Sequence, residues 1–222
     1  MKNLLIGLVL ISYLGAMGYV LRGGDIEEPI QAALAGEMFC VAEQKICQVV
    51  LSNTLGNSEK YQKIGAAIKS LPSDWKVNID LTGNGGSIDT VIYFYNIIED
   101  SAAEITTNVV GPVYSAHAML AMLGKTVHFG ADTFLMIHQP AIYDPAKGEY
   151  QVLEVACKLS KGTDRGQSLT EKCLQNMYYN SLMFNKMFDK KIKPYMTSRE
   201  LDRYYKGYDV YINGDEMTRR MI

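Results

Sequence analysis

Apolar runs alternate with polar, glycine-marked turns along this chain, and the period of the runs changes in a regular order. Ile46–Leu51 reads as a strand. Tyr61, Ile64, Ile68 and Leu71 then recur at three- and four-residue steps, which predicts a helix opened by Asn57-Ser58 and stopped near Pro72. Val77, Ile79 and Leu81 alternate with Asn78 and Asp80, the period of a strand with one covered face. A glycine turn, Thr82-Gly-Asn-Gly-Gly-Ser87, leads into a helix with Ile88, Val91, Ile92 and Tyr95 along one side. The order then repeats with an extended run at 105–110, a corner at Ser115 and a stretch at 116–123 that is apolar all round. That stretch predicts a short buried helix closed by Gly124. Repeated strand-turn-helix units imply an α/β fold with a largely parallel sheet.

After a further strand at Phe134–Ile137, ended by Pro140, the pattern changes. Asp144-Pro-Ala-Lys-Gly148 reads as a loop, and two long helical patterns follow at 149–161 and 168–192. The second carries Leu182, Met183, Met187 and Phe188 besides apolar residues nearer its start, more apolar surface than a solvated helix shows. Contact with a neighbouring subunit and an intramolecular helix pair both fit it. Thr197-x-x-Glu200 has the form of a capping box for a short helix ending at Lys206-Gly207, and 209–212 is again extended.

The first thirty residues stand apart. Lys2 is followed by eighteen uncharged residues, 4–21, long enough to cross a bilayer core of roughly 30 Å. Residues 1–22 are expected to be a single membrane anchor of undetermined orientation or a cleaved signal peptide for export, 23–30 a linker, and 31–222 one folded domain. A net charge of −2 without a basic stripe argues against nucleic acid. Cys40, Cys47, Cys157 and Cys173 lack metal-site spacing, so no metal is expected. Cys47 and Cys173 lie in apolar patterns where a thiol is ordinary core filling, although two disulfides are open to a domain outside a reducing compartment.

The chemistry lies at the corners. Ser115 falls where a strand meets a helix N-terminus, and His138 closes a strand twenty-three residues later. A serine hydroxyl needs an imidazole to take its proton, a third group to fix the imidazole, and amide donors for the oxyanion. Ser115, His138 and Asp209 are the candidates for nucleophile, base and acid, and the amides of Gly86 and Ala116 for the oxyanion hole. The plain competitor for Ser115 is an ordinary helix N-cap. His117 is a rival base, but two helical residues turn it about 200° from Ser115. His128 reads as structural or surface. The glycine turn lacks the lysine of a P-loop and the dinucleotide spacing, so no cofactor is expected.

Three segments resemble the proteolytic subunit of the ATP-dependent Clp protease, the ClpP family of serine peptidases. Asp80-Leu-Thr-Gly-Asn-Gly-Gly-Ser87 is similar to the family's I-N-S-P-G-G-S turn. Val110-Gly-Pro-Val-Tyr-Ser-Ala116 is similar to its M-G-Q-A-A-S-M segment, and Phe134-Leu-Met-Ile-His-Gln-Pro140 to R-V-M-I-H-Q-P. The resemblance implies a crotonase-like stack of β-β-α units with a helical handle at about 149–192. It also implies a homo-oligomeric ring, unfolded polypeptide as substrate and a Clp-type ATPase as partner. It assigns Ser115, His138 and Asp209 to the triad and Gly86 and Ala116 to the oxyanion hole. Asn84 stands where the family has proline, His117 where it has glycine, and the stretch between His138 and Asp209 is some twenty residues longer. Two other readings stay open: an ATP-independent membrane protease of the signal-peptide-peptidase kind, and a non-catalytic crotonase-fold scaffold.

Overall fold

The computed structural model describes residues 38–52, 54–56, 59–144, 149–152 and 167–222. In chain order the described strands and helices are β1 (Met38–Val41), β2 (Ile46–Leu51), α1 (Glu59–Ser70), β3 (Lys76–Gly83), α2 (Ile88–Asp100), β4 (Glu104–Tyr114), α3 (Ala116–Ala121), β5 (Thr126–Phe129) and β6 (Phe134–Ile137). They continue with β7 (Ala141–Asp144), β8 (Glu149–Val152), α4 (Gln167–Lys191), α5 (Ser198–Tyr205), β9 (Val210–Asn213) and α6 (Gly214–Met221). Among these residues no helix is long and apolar enough to cross a membrane, and 1–37 lie outside them.

Seven strands form one sheet in the order β1-β2-β3-β4-β6-β9, with β5 also paired to β4. Its interior is parallel and its two edges, β1 and β9, are antiparallel. This mixed α/β architecture is the fold expected from the sequence. Cys47, Val49 and Leu51, Val77, Ile79 and Leu81, and Ile105 and Val109 bury one face of the sheet. α1 covers that face with Tyr61, Ile64 and Ile68, and α2 with Val91, Phe94, Ile97 and Ile98. Removing a side chain of this size from water contributes about 1.5–3 kcal/mol. Of the expected face of α2, Val91 is buried but Ile88, Ile92 and Tyr95 are only half-buried, because the helix turns its Phe94 stripe inward. Thr107 interrupts the apolar pattern yet is fully buried, and its hydroxyl donates to Ala121 O at 2.6 Å, tying β4 to α3.

Several expectations are corrected. α3 ends at Met122, whose N–H reaches Leu120 O and Met119 O, so Gly124 is not its cap. Gly124 instead lets the chain pass close to β4, since a Cβ there would lie 2.7 Å from Thr107 Oγ1. Residues 149–152 are a strand pairing with β7, not the start of a helix. The physical reason is local: Ile142, Tyr143, Tyr150 and Val152 are strand formers, while 145–148 of the expected loop and 153–161 of the expected helix lie outside the described residues. Cys40 and Cys47, the latter expected as a core thiol, form a disulfide. They stand directly opposite in the β1–β2 ladder, a pairing invisible without β1.

The helix at 167–191 fits the expected 168–192 pattern, and its C-terminal half packs on its own domain. Phe184, Met187, Phe188 and Ile192 are buried, Lys190 and Lys191 pair with Glu99 of α2 at 2.8 and 3.2 Å, and Tyr179 and Leu182 stay exposed. Phe188 stacks on Tyr204 of α5 with ring centroids 4.0 Å apart.

α5 carries the predicted capping box: Thr197 accepts the Glu200 N–H, and the Glu200 carboxylate accepts the Thr197 N–H at 2.7 Å. The same carboxylate takes two bonds from Arg220 of α6, at 2.8 and 3.0 Å. Burial raises the Glu200 pKa, but the Arg220 and Thr197 bonds outweigh it and hold the carboxyl below its ordinary value. A carboxyl lowered in the fold adds stability in full above its unfolded value and loses it as pH falls through the folded value. Glu200→Gln, which keeps the capping box, is therefore expected to flatten the acid side of the stability–pH curve. It should cost about 1 kcal/mol at pH 7 in urea unfolding. An unchanged acid limb would exclude this role for the charge.

Candidate active site

β4 is the longest strand because it serves two partners: Thr106–Val109 pair with β5, and Val113 and Tyr114 pair with β6. Between them the register against β3 slips, Leu81 facing Val109 but Gly83 facing Val113. Such an irregularity re-aims the residues beyond it. The first residue past the strand is Ser115, whose N–H donates to Met136 O at 2.7 Å before the chain turns into α3.

Ser115 has φ 54° and ψ −118°, a conformation that costs a residue with a Cβ on the order of 1–3 kcal/mol. It occupies the N-cap position, yet its hydroxyl makes no capping bond. An N-cap serine earns its place with that bond and with extended dihedrals, so the ordinary N-cap reading does not describe this residue. Strained strand-to-helix corners that lift a hydroxyl out of the sheet are the local geometry of nucleophile elbows. Ser115 is partly exposed, while Ala116 behind it is buried.

The glycine turn lies against this corner. Gly85, at φ 95°, is buried, and a Cβ on it would sit 2.7 Å from the Ser115 Cβ. Gly86, at φ 136°, is exposed and bridges to Leu55, whose O lies 2.1 Å from where a Cβ would be built. Leu55 holds the turn by donating to Gly85 O and accepting from Ser87 N, both at 2.7 Å. Among the described residues the Gly86 N–H meets no acceptor, nor does that of Ala116, the first residue of α3. Unpaired amides at a helix start and a glycine turn are the donors an oxyanion requires.

His138 lies just past β6 and is half-buried. Its Nδ1 lies 2.6 Å from Gln139 O, and since a carbonyl only accepts, Nδ1 carries the proton and Nε2 the lone pair. That is the tautomer of a general base. β6 pairs with β9 so that Ile137, the neighbour of His138 in the chain, faces Val210, the neighbour of Asp209. Asp209 is exposed, and its backbone O accepts from Arg203 at 3.1 Å. Among the described residues no hydrogen bond joins Ser115 to His138 or His138 to Asp209. Fold topology thus sets the three sequence candidates at the same end of the neighbouring strands β4, β6 and β9 without linking them.

Sequence reasoning passed over two groups, the Gln139 carbonyl and His117. His117 is fully buried in α3, and its Nδ1 accepts the Gly85 N–H at 3.1 Å. Burial pushes its pKa below the ordinary imidazole range, against the opposing influence of the Gly85 and Leu51 backbones. The signal was present as one polar residue in an otherwise apolar helix. His128 is exposed on β5, as expected. Among the described residues no His, Cys, Asp and Glu cluster suits a metal.

A cavity of about 210 Å³ opens just after His138, lined by Gln139 and Pro140 and by Ser181, Asn185, Phe188, Asp189, Tyr204 and Tyr205 from α4 and α5. Burial raises the Tyr204 pKa, and among the described residues its hydroxyl has no hydrogen-bond partner. No curated protein matches the chain. The model of the Clp protease family matches residues 42–173, more than half of the sequence and inclusive of Ser115 and His138, and the chain belongs to that family of peptidases.

Proposed function

We propose that this chain is a serine endopeptidase that cleaves unfolded polypeptides through an acyl-enzyme. Ser115 attacks the scissile carbonyl, His138 Nε2 takes its proton and later passes it to the leaving amine, and water releases the acyl group. The Gly86 and Ala116 amides stabilise the oxyanion, and Asp209 steadies the imidazolium across the β6–β9 ladder. One observation carries the reading: Ser115 occupies a strained corner with its hydroxyl free of the N-cap bond and beside unpaired amides.

Labelling with a fluorophosphonate probe tests it. The native chain is expected to form an adduct that Ser115→Ala abolishes and His138→Ala slows on the order of 10⁴-fold or more. Gln139 O already fixes the Nδ1 proton, so Asp209→Asn should lower kcat by only on the order of 10²-fold. Absence of a Ser115-dependent adduct would sink the enzyme reading and leave the scaffold one.

Assembly into a homo-oligomeric ring and anchoring or export through residues 4–21 belong to the same proposal. The Cys40–Cys47 disulfide favours a domain facing an oxidising compartment, where ATP-independent cleavage fits better than partnership with a Clp-type ATPase. Alkylation of the denatured, unreduced native chain should spare both cysteines, and their modification would restore the ATPase reading.

A further inference from the structure

We propose that His117 is a positioning residue that fixes the oxyanion hole by holding the glycine turn to the helix bearing the nucleophile. The inference rests on the reading of Gly86 and Ala116 as oxyanion donors. Their separation must be set to within a fraction of an ångström for both to reach one oxygen. Ala116 belongs to α3 and Gly86 to the turn after β3, so something must join the two. The Leu55 backbone holds the turn from its far side, through Gly85 O and the Ser87 N–H. The one described side-chain bond from α3 to the turn is that of the Gly85 N–H to His117 Nδ1, at 3.1 Å.

The imidazole suits this task and no other at the site. At 0% exposure it cannot touch substrate. With Nδ1 accepting, the proton resides on Nε2, which is buried with no hydrogen-bond partner among the described residues. Burial keeps the ring neutral, and a neutral ring is the form that accepts. Gly85 has no side chain, so its backbone approaches Ser115 while its N–H turns to the histidine.

The test compares three substitutions. His117→Asn places an amide oxygen near the Nδ1 position, His117→Gln carries its oxygen further out, near the Nε2 position, and His117→Leu has no acceptor. Peptide hydrolysis and fluorophosphonate labelling are measured together with exchange of the Gly85 amide proton and the melting temperature. The Leu and Gln variants are expected to lose on the order of 10²-fold in kcat with KM little changed and Gly85 exchange accelerated, as displacement of a catalytic group by about 1 Å does. The Asn variant should retain native exchange and most of kcat. If the Leu variant fails to fold, the Asn and Gln pair decides.

Native kcat in a folded Leu or Gln variant, or an Asn variant that falls as far as Gln, overturns the proposal while labelling of Ser115 upholds the serine reading. A native chain that forms no Ser115-dependent adduct overturns both.

Discussion

Replacing Ser115 by glycine is expected to abolish hydrolysis and at the same time make the protein more stable. Activity falls on the order of 10⁴-fold or more because the attacking hydroxyl is gone. Stability rises because φ 54° with ψ −118° strains a serine and not a glycine. Relief of about 1–3 kcal/mol, set against about 0.5–1 kcal/mol for the freer unfolded chain, leaves a gain near 1 kcal/mol. In a chain of this size that raises Tm by about 2–4 °C. Ser115→Ala removes the same hydroxyl but keeps a Cβ, so it stays at or below native stability. Differential scanning calorimetry of the two variants isolates the conformational part, and equal melting temperatures for both would mean that the corner stores no strain.

Gly86→Ala is expected to damage the fold and the chemistry together. The added methyl would stand 2.1 Å from Leu55 O and 2.7 Å from Leu55 N, backbone atoms that no rotamer change can clear. The residue must also hold φ 136° with a side chain. Steric displacement and strain together should cost about 3 kcal/mol in urea unfolding. Movement of the amide should lower kcat by on the order of 10²–10³-fold, the loss typical of one oxyanion donor. Asn84, exposed at the tip of the same turn, is the control, and Asn84→Ala should leave both quantities near native. Native turnover in Gly86→Ala would remove Gly86 from the site.

The helices and parallel strands were legible because their periods are imposed by burial on one side: Tyr61, Ile64 and Ile68 in α1, and Val77, Ile79 and Leu81 in β3, are all in the core. The corner at Ser115 was legible as an abrupt change of period. β1 and the β7–β8 hairpin were not: each strand is only four residues long, and none joins an unbroken apolar run to a proline boundary as Phe134–Ile137 and Pro140 do for the equally short β6. α6 was missed although Asn213 caps it by accepting the Asp215 N–H at 2.9 Å, since only Gly214 and Met217 are buried along it. Of the site, Ser115, His138 and the glycines announced themselves through spacing. The hidden parts depend on tertiary placement: the Gln139 carbonyl at the imidazole, and His117 as the partner of Gly85.

The pairing of β6 with β9 joins residues far apart along the chain, His138 and Asp209 being separated by the β7–β8 hairpin and α4. Closing so long an excursion is costly once, but each doubling of its length adds only about 0.6 kcal/mol. Flexible residues added to the connection thus carry little further cost in chain entropy, whereas Phe184, Met187, Phe188 and Tyr204 along it are buried and held by the core. Four ladder pairs, Phe134 to Asn213 through Ile137 to Val210, return the chain to the same register whatever lies between. The position of the candidate acid, Asp209, is therefore set by the sheet edge rather than by the length of the excursion.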